Sequence, residues 1–337
     1  MLTRLSKSRP LFGFIPAELC WWSASILTGL IVLWLALNCG GLGCSDFFLL
    51  PPDIRGMRAE RVLAAFVVGG LLSLAGALMQ LLLRNPLADP YVLGVSGGAA
   101  AGALTFSLLL PASAVIYSLQ SGALLGALLA TALLLVLARR SFVHEIVLDS
   151  GTGGIRLILT GVMISAGFGA LIILLLALSP DAQLRGTLFW LMGELDSSEF
   201  VASAWLVLLV ACIWSFTKAA ALNVLSHGEV TAHLLGFNVQ RLQVSLLLIA
   251  SVATAAAVAV AGTIGFIGLV VPHALRLVIG NDQRVLLPAA VLTGGMALTL
   301  ADLLARSIAA PVQLPVGVIT ALIGVPVFLV LLARSRS

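Results

Sequence analysis

Long apolar runs, broken by short clusters of charge, succeed one another along this chain. Each run is about 17–25 residues, the length that carries an α-helix across the hydrocarbon of a bilayer. Ten spans are predicted, at about 19–40, 60–83, 93–111, 118–138, 156–178, 199–219, 243–261, 264–280, 286–305 and 314–333. Stretches such as Leu206–Ile213 and Val327–Leu332 are apolar at consecutive positions, whereas the strands of a membrane barrel alternate apolar and polar residues. Lipid offers no water to the backbone, so the spans are helices. The expected fold is all-α and polytopic, a single transmembrane domain over 1–337. The eighth span is short and is interrupted by Pro272.

Composition agrees with this pattern. Apolar residues make up 61% of the 337 positions and charged residues only 9%, against about a quarter in a soluble chain. The net charge of +4 reads as topology rather than a nucleic-acid surface. With the N-terminus inside, the inner loops and helix ends receive thirteen of the 18 basic residues. Arg55, Arg58, Arg61, Arg185 and Arg306 fall outside. That imbalance predicts both termini in the cytoplasm and a multi-pass protein of the inner (plasma) membrane. Arg4, Lys7 and Arg9 precede the first run as in a signal peptide. That run continues through Leu37, too long for a signal core, and is read as the first span.

Small residues recur every four positions: Gly94, Gly98 and Gly102 in the third span, Gly122 and Gly126 in the fourth, Gly161, Ser165 and Gly169 in the fifth. Such stripes predict close helix packing in lipid. None of the four cysteines has metal-ligand spacing. Cys39 and Cys44 flank a Gly-rich turn and are expected to be free, the alternative being a disulfide if the turn faces an oxidising compartment.

Catalytic chemistry is not evident. The span centres hold no carboxylate pair, no His-x-x-x-His and no Ser–His–Asp set, so an enzyme is not expected. His144, His227 and His233 fall in inner loops, and His273, after Pro272, is expected to cap or pack rather than ligate metal. No ionisable residue is convincingly placed at mid-membrane, where ion-coupled transport would need one. The only lysines, Lys7 and Lys218, lie outside any glycine-rich phosphate loop, so this chain is not expected to hydrolyse nucleotide. No cofactor or metal is expected within it.

Two loop features invite partners. The segment from Leu225 to Gly236 reads as a short amphipathic helix on the inner surface, either interfacial or a docking element for a soluble protein. On the outer side Arg58 and Arg61 lie three apart and Arg306 stands at the end of the ninth span, against the topological trend. Either an anionic partner or lipid phosphate meets them. Asp302 and Arg306, four apart, suit a same-face ion pair.

Asn85-Pro86-Leu87-Ala88-Asp89-Pro90, followed by Leu93-Gly94-Val95-Ser96-Gly97-Gly98-Ala99, resembles a signature of the permease subunits of type II ABC importers for iron chelates and cobalamin. Gly265-Phe266-Ile267-Gly268-Leu269-Val270-Val271-Pro272-His273 resembles the second. The likeness continues through Arg284–Pro288, Ala301-Asp302 and Leu314–Gly317, and covers the chain from about residue 58 onward.

The resemblance implies a permease fold of ten helices that pairs with a second copy of itself, the chelate (ferric siderophore, haem or cobalamin) passing along the dimer axis by alternating access. It implies two ATP-binding cassette subunits, which carry ATP and Mg, and a periplasmic substrate-binding protein. Gly228, Glu229, Ala232, Leu235 and Gly236 match the coupling helix gripped by the ATPase. Arg58, Arg61 and Arg306 match the arginines that pair with acids of the binding protein. Where the family usually has Leu-Pro, this chain has Ala59-Glu60, which reduces the local positive field. Gly153-Gly154-Ile155 replaces small hydroxyl residues before Arg156, an apolar gate by expectation. Iron chelates are favoured over cobalamin as cargo. An ion-coupled secondary transporter of a small organic solute is the alternative.

Overall fold

The computed structural model describes residues 17–41, 43–110, 115–143, 152–195 and 200–334. Arg4, Lys7, Arg9 and His144 lie outside them. Among the described residues the helices are α1 Ala17–Asn38, α2 Pro52–Leu82, α3 Val95–Leu109, α4 Val115–Val143, α5 Thr152–Leu178, α6 Asp181–Leu191, α7 Val201–Ser226, α8 Glu229–Leu234, α9 Val239–Ala261, α10 Ile267–Ile279, α11 Gln283–Ser307 and α12 Val316–Arg334. Each of the ten predicted spans coincides with one of these. Among the described residues seven helices are long and apolar enough to cross a membrane, while α1, α3 and α10 contribute shorter apolar helices.

The two additional helices are short. α8 lies within the amphipathic segment, which narrows to six residues because α7 runs on to Ser226. α6 was not expected from the hydrophobic pattern. It begins after Pro180 with Asp181 in its first turn, a start signal in which proline presets the backbone and the carboxylate faces the helix dipole.

α2 is the central element. It is apolar on every face from Val62 to Leu82 and almost continuously buried there, as a helix enclosed by other helices must be. α9, α10, α11 and α7 surround it. The crossings are close because glycine removes the side chain: a Cβ on Gly76 would strike the Gly268 carbonyl, and one on Gly69 the Gly294 carbonyl. α3 and α4 pack the same way, Gly98 against Gly126 and Gly102 against Gly122, as their stripes predict.

The third stripe behaves differently. A Cβ on Gly169 would meet nothing within 4 Å, and α5 leaves Leu159, Met163, Ile173 and Leu174 exposed. One side of α5 meets Gly94 and Gly97 at the start of α3 through Ser165 and Phe168, and the face carrying those exposed residues is not covered by the described residues.

Between α1 and α2 the chain reverses through two-residue strands, β1 Cys39–Gly40 and β2 Gly43–Cys44, paired antiparallel. Cys39 stands directly opposite Cys44 and the two are joined as a disulfide. This corrects the expectation of free thiols: the Gly-rich reversal makes them cross-strand partners, a relationship that spacing alone leaves open.

Candidate functional site

The polar residues gather at opposite ends of α2. At its C-terminal end Arg84 adopts a left-handed backbone (φ 48°), which turns the chain out of the helix. Asn85 then organises the first signature loop, its side chain accepting from the Leu87 N–H at 2.9 Å. Asp89 caps the following 3₁₀ turn by accepting from the Tyr91 N–H at 2.8 Å, and Pro90 is buried. Enclosure raises the Asp89 carboxyl to about 6, partly offset by that N–H. Gly94 supplies the left-handed residue (φ 83°) that opens α3, with Ser96 half-buried in its first turn. The Tyr91 hydroxyl accepts from the Ile264 N–H at 3.0 Å, tying this loop to the approach of α10.

α8 sits at the same end. Gly228 precedes it with φ 127° and ψ 151°, a backbone region left almost entirely to glycine. Gly236 follows with φ 84°. Ala232 is fully buried and anchors the helix, while Val230, Leu234 and Leu235 are 60%, 79% and 62% exposed. Glu229 reaches Arg84 at 3.1 Å. The short helix is thus clasped to the loop that ends α2, a link between two motifs that the sequence reading treated separately.

The second signature also closes onto α2. Pro272 has no N–H, so the Gly268 carbonyl one turn earlier loses its helical partner. The Gln80 amide of α2 donates to it at 3.4 Å and to the Leu269 carbonyl at 3.1 Å. Arg276 in turn donates to the Gln80 side-chain oxygen and to the Ala77 carbonyl. His273 is buried, and its Nε2 has no partner among the described residues. No group of three side chains among them is arranged to hold a metal ion.

At the other end the three predicted arginines are brought together. Asp302 is buried between Arg61 and Arg306, 3.0 Å from the Nε of each. Arg61 also donates to Gln313 at 2.8 Å. Arg58 donates to the carbonyls of Leu37 and Asn38 at 3.1 and 3.0 Å, and Arg306 to that of Ala36 at 3.3 Å. The cluster fastens α1, α2 and α11 beneath the disulfide hairpin. Arg306 is only 6% exposed, Arg58 and Arg61 are half-buried, and Glu60 is open to solvent. Three cations against one buried carboxylate leave positive charge at this surface.

A family profile described as the FecCD transport family matches residues 53–334, which includes both signature loops, α8 and the arginine cluster. The chain belongs to the FecCD transport family.

Relatives in this family include the hemin transport system permease protein HmuU of Yersinia pestis, 43% identical over 288 residues, 83% of each chain. The cobalamin import system permease protein BtuC of Halobacterium salinarum is also 43% identical, over 83% of this chain and 73% of that one. A solved structure described as an inward-facing conformation of a metal-chelate type ABC transporter superposes with a TM-score of 0.81 at 28% identity, covering 94% of this chain and 99% of that one. The chain is therefore a multi-pass transport permease of this family.

Proposed function

We propose that this FecCD protein is the membrane-spanning subunit of an ATP-driven importer that moves a bulky metal chelate, haem, ferric siderophore or cobalamin, into the cytoplasm. The observation that carries the reading is α8, a six-residue helix with an exposed apolar face tied through Glu229 to Arg84 at the end of the central helix. ATP is hydrolysed on separate ATP-binding cassette subunits, which hold Mg and grip Gly228–Gly236. α8 faces the cytoplasm, as do both termini, in the inner membrane.

α2 gives the motion its path. Its 31 residues make a rod of about 46 Å, with the coupling helix at one end and the arginine cluster at the other. Displacement of α8 pulls on Arg84 and rocks α2 together with α10 and α11 as a rigid body. At the outer end, the exposed edges of Arg58 and Arg61 meet acidic residues of a periplasmic binding protein, while Arg306 and Asp302 hold them in place. Charge-assisted contacts of this kind set encounter rate and register. A second copy of the chain covers the open face of α5 and completes the pathway.

Assembly tests this directly. Co-expressed with its ATPase, the chain is expected to purify as two permeases with two ATPases, and Leu234→Glu, on the exposed apolar face of α8, to lose the ATPase while the permease pair survives. A chain that stays monomeric and recruits no ATPase contradicts the reading.

A further inference from the structure

A slot of about 130 Å³ opens between α2, α7 and α11, room for a stretch of an acyl chain rather than for a whole small-molecule ligand. Its walls are Leu74, Phe216, Leu287 and Pro288, and Phe216 is 75% exposed at its side. Beside it α7 is joined to the start of α11, Asn223 donating to Asp282 and accepting from the Gln283 N–H, both at 2.7 Å.

Its depth fits one leaflet. Ser215 stands eleven residues before the α7 terminus at Ser226, about 16 Å along the helix. Pro288 is five residues into α11, about 8 Å. Half of a ~30 Å hydrocarbon core is about 15 Å, so the slot lies within the leaflet on the α8 side.

Two polar atoms inside it lack partners. Gln283 is fully buried, and its Nε2 is occupied by Asn281. Its Oε1 has no partner among the described residues, and neither has the hydroxyl of Ser215, 2% exposed. A buried polar atom is costly to leave unpartnered, so a ligand bearing polar groups above an apolar tail is favoured here. At the mouth Arg284 lines the slot, and exposed Lys218 lies one turn beyond Ser215 on α7. Neither side chain is in a salt bridge among the described residues. The Asp282 carboxylate, which accepts from Asn223 and from the Arg284 N–H, leaves a surplus of one positive charge.

We propose that this slot binds an anionic phospholipid, one acyl chain along Leu74, Phe216 and Leu287, its glycerol region at Ser215 and Gln283, and its phosphate on Arg284. Basic pockets between membrane helices hold anionic headgroups in this way. The site is independent of cargo and of the ATPase, and rests on the proposed orientation only in that the leaflet is then the cytoplasmic one.

The test uses the full chain in nanodiscs of equimolar phosphatidylglycerol and phosphatidylethanolamine, released into detergent and weighed with its retained lipid by native mass spectrometry. Phosphatidylglycerol is expected in about five-fold excess, the ~1 kcal/mol of one basic residue near an anionic headgroup. Arg284→Gln is expected to bring the ratio near one, and Leu287→Trp, which fills the slot, to remove both lipids. A second readout needs no slot variant: Cys212 lines the same slot, and in Cys20→Ser protein its alkylation by an apolar maleimide should slow several-fold when phosphatidylglycerol is added to delipidated chain. Equal retention of the two lipids by the wild-type chain, an Arg284→Gln protein with unchanged preference, or Cys212 alkylation indifferent to the added lipid overturns the proposal.

Discussion

The guanidinium of Arg84 lies 3.1 Å from the carboxylate of Glu229, and through this pair the shortest α-helix among the described residues holds the end of the longest. Both side chains are about one-third exposed, so the pair contributes little to folding, about 0–1 kcal/mol. Its importance is mechanical. Glu229→Arg should leave the thermal midpoint nearly unchanged yet lower ATP-driven uptake about tenfold, within the 1–3 kcal/mol usual for coupling between sites. The exchanged pair Arg84→Glu with Glu229→Arg should recover part of that loss. Uptake that is normal in Glu229→Arg, or no better in the exchanged pair, counts against the link.

Gln80 is the internal partner of the proline-broken turn in α10. Replacing it with Leu leaves the Gly268 carbonyl and the Arg276 guanidinium short of partners in a buried place. The expected cost is about 1–3 kcal/mol, read as a lower unfolding midpoint in detergent. Gln80→Glu, which keeps an acceptor for Arg276 but loses the donor to Gly268, should fall between the two.

Asp302 neutralises Arg61 and Arg306 in a buried position. Asp302→Asn keeps the shape but leaves two cations facing each other, a change of the kind that costs about 3–5 kcal/mol. The unfolding midpoint should fall, and binding-protein affinity should fall with it if these arginines form the docking surface. Arg61→Gln in the same background should restore stability without restoring docking.

The Asp89 carboxyl is raised from 3.8 to about 6 by enclosure, so the folded protein holds this proton more tightly than the unfolded chain does. Stability from this group is therefore complete below pH 3.8, declines between 3.8 and 6, and is absent above that. Asp89→Asn should unfold at the same temperature as wild type near pH 4 and at a higher one near pH 7.5, a gain of up to about 3 kcal/mol. A constant difference across that range would contradict the raised value.

The asymmetry between what could be read along the chain and what could not has a physical origin. Lipid forces every spanning segment to be a continuous apolar helix, so the ten spans were visible from local sequence, and Gly98, Gly102, Gly122 and Gly126 announced a close crossing that α3 and α4 make. The same logic held only in part for α5, where Ser165 meets Gly94 and Gly97 at the start of α3 but Gly169 meets nothing within 4 Å, because a stripe does not say which helix it meets. α6 was missed because eleven residues are too short and too polar for a span pattern, although Pro180 and Asp181 mark its start.

The polar links were less legible still. Arg84 and Glu229 are 145 positions apart in sequence, and Gln80 and Arg276 are 196, so no periodicity connects them. Asp302 and Arg306 were paired in advance because a four-residue helical spacing places them on one face. The addition of Arg61, from a different helix, came only with the fold.

The central claim is that the chain provides a path but no energy. It is tested by reconstituting it into liposomes with a labelled chelate and its binding protein outside and ATP inside, with and without the ATPase subunits. Accumulation is expected only when the ATPase is present and only while ATP lasts. Accumulation against a gradient in liposomes that hold this chain alone would contradict the account.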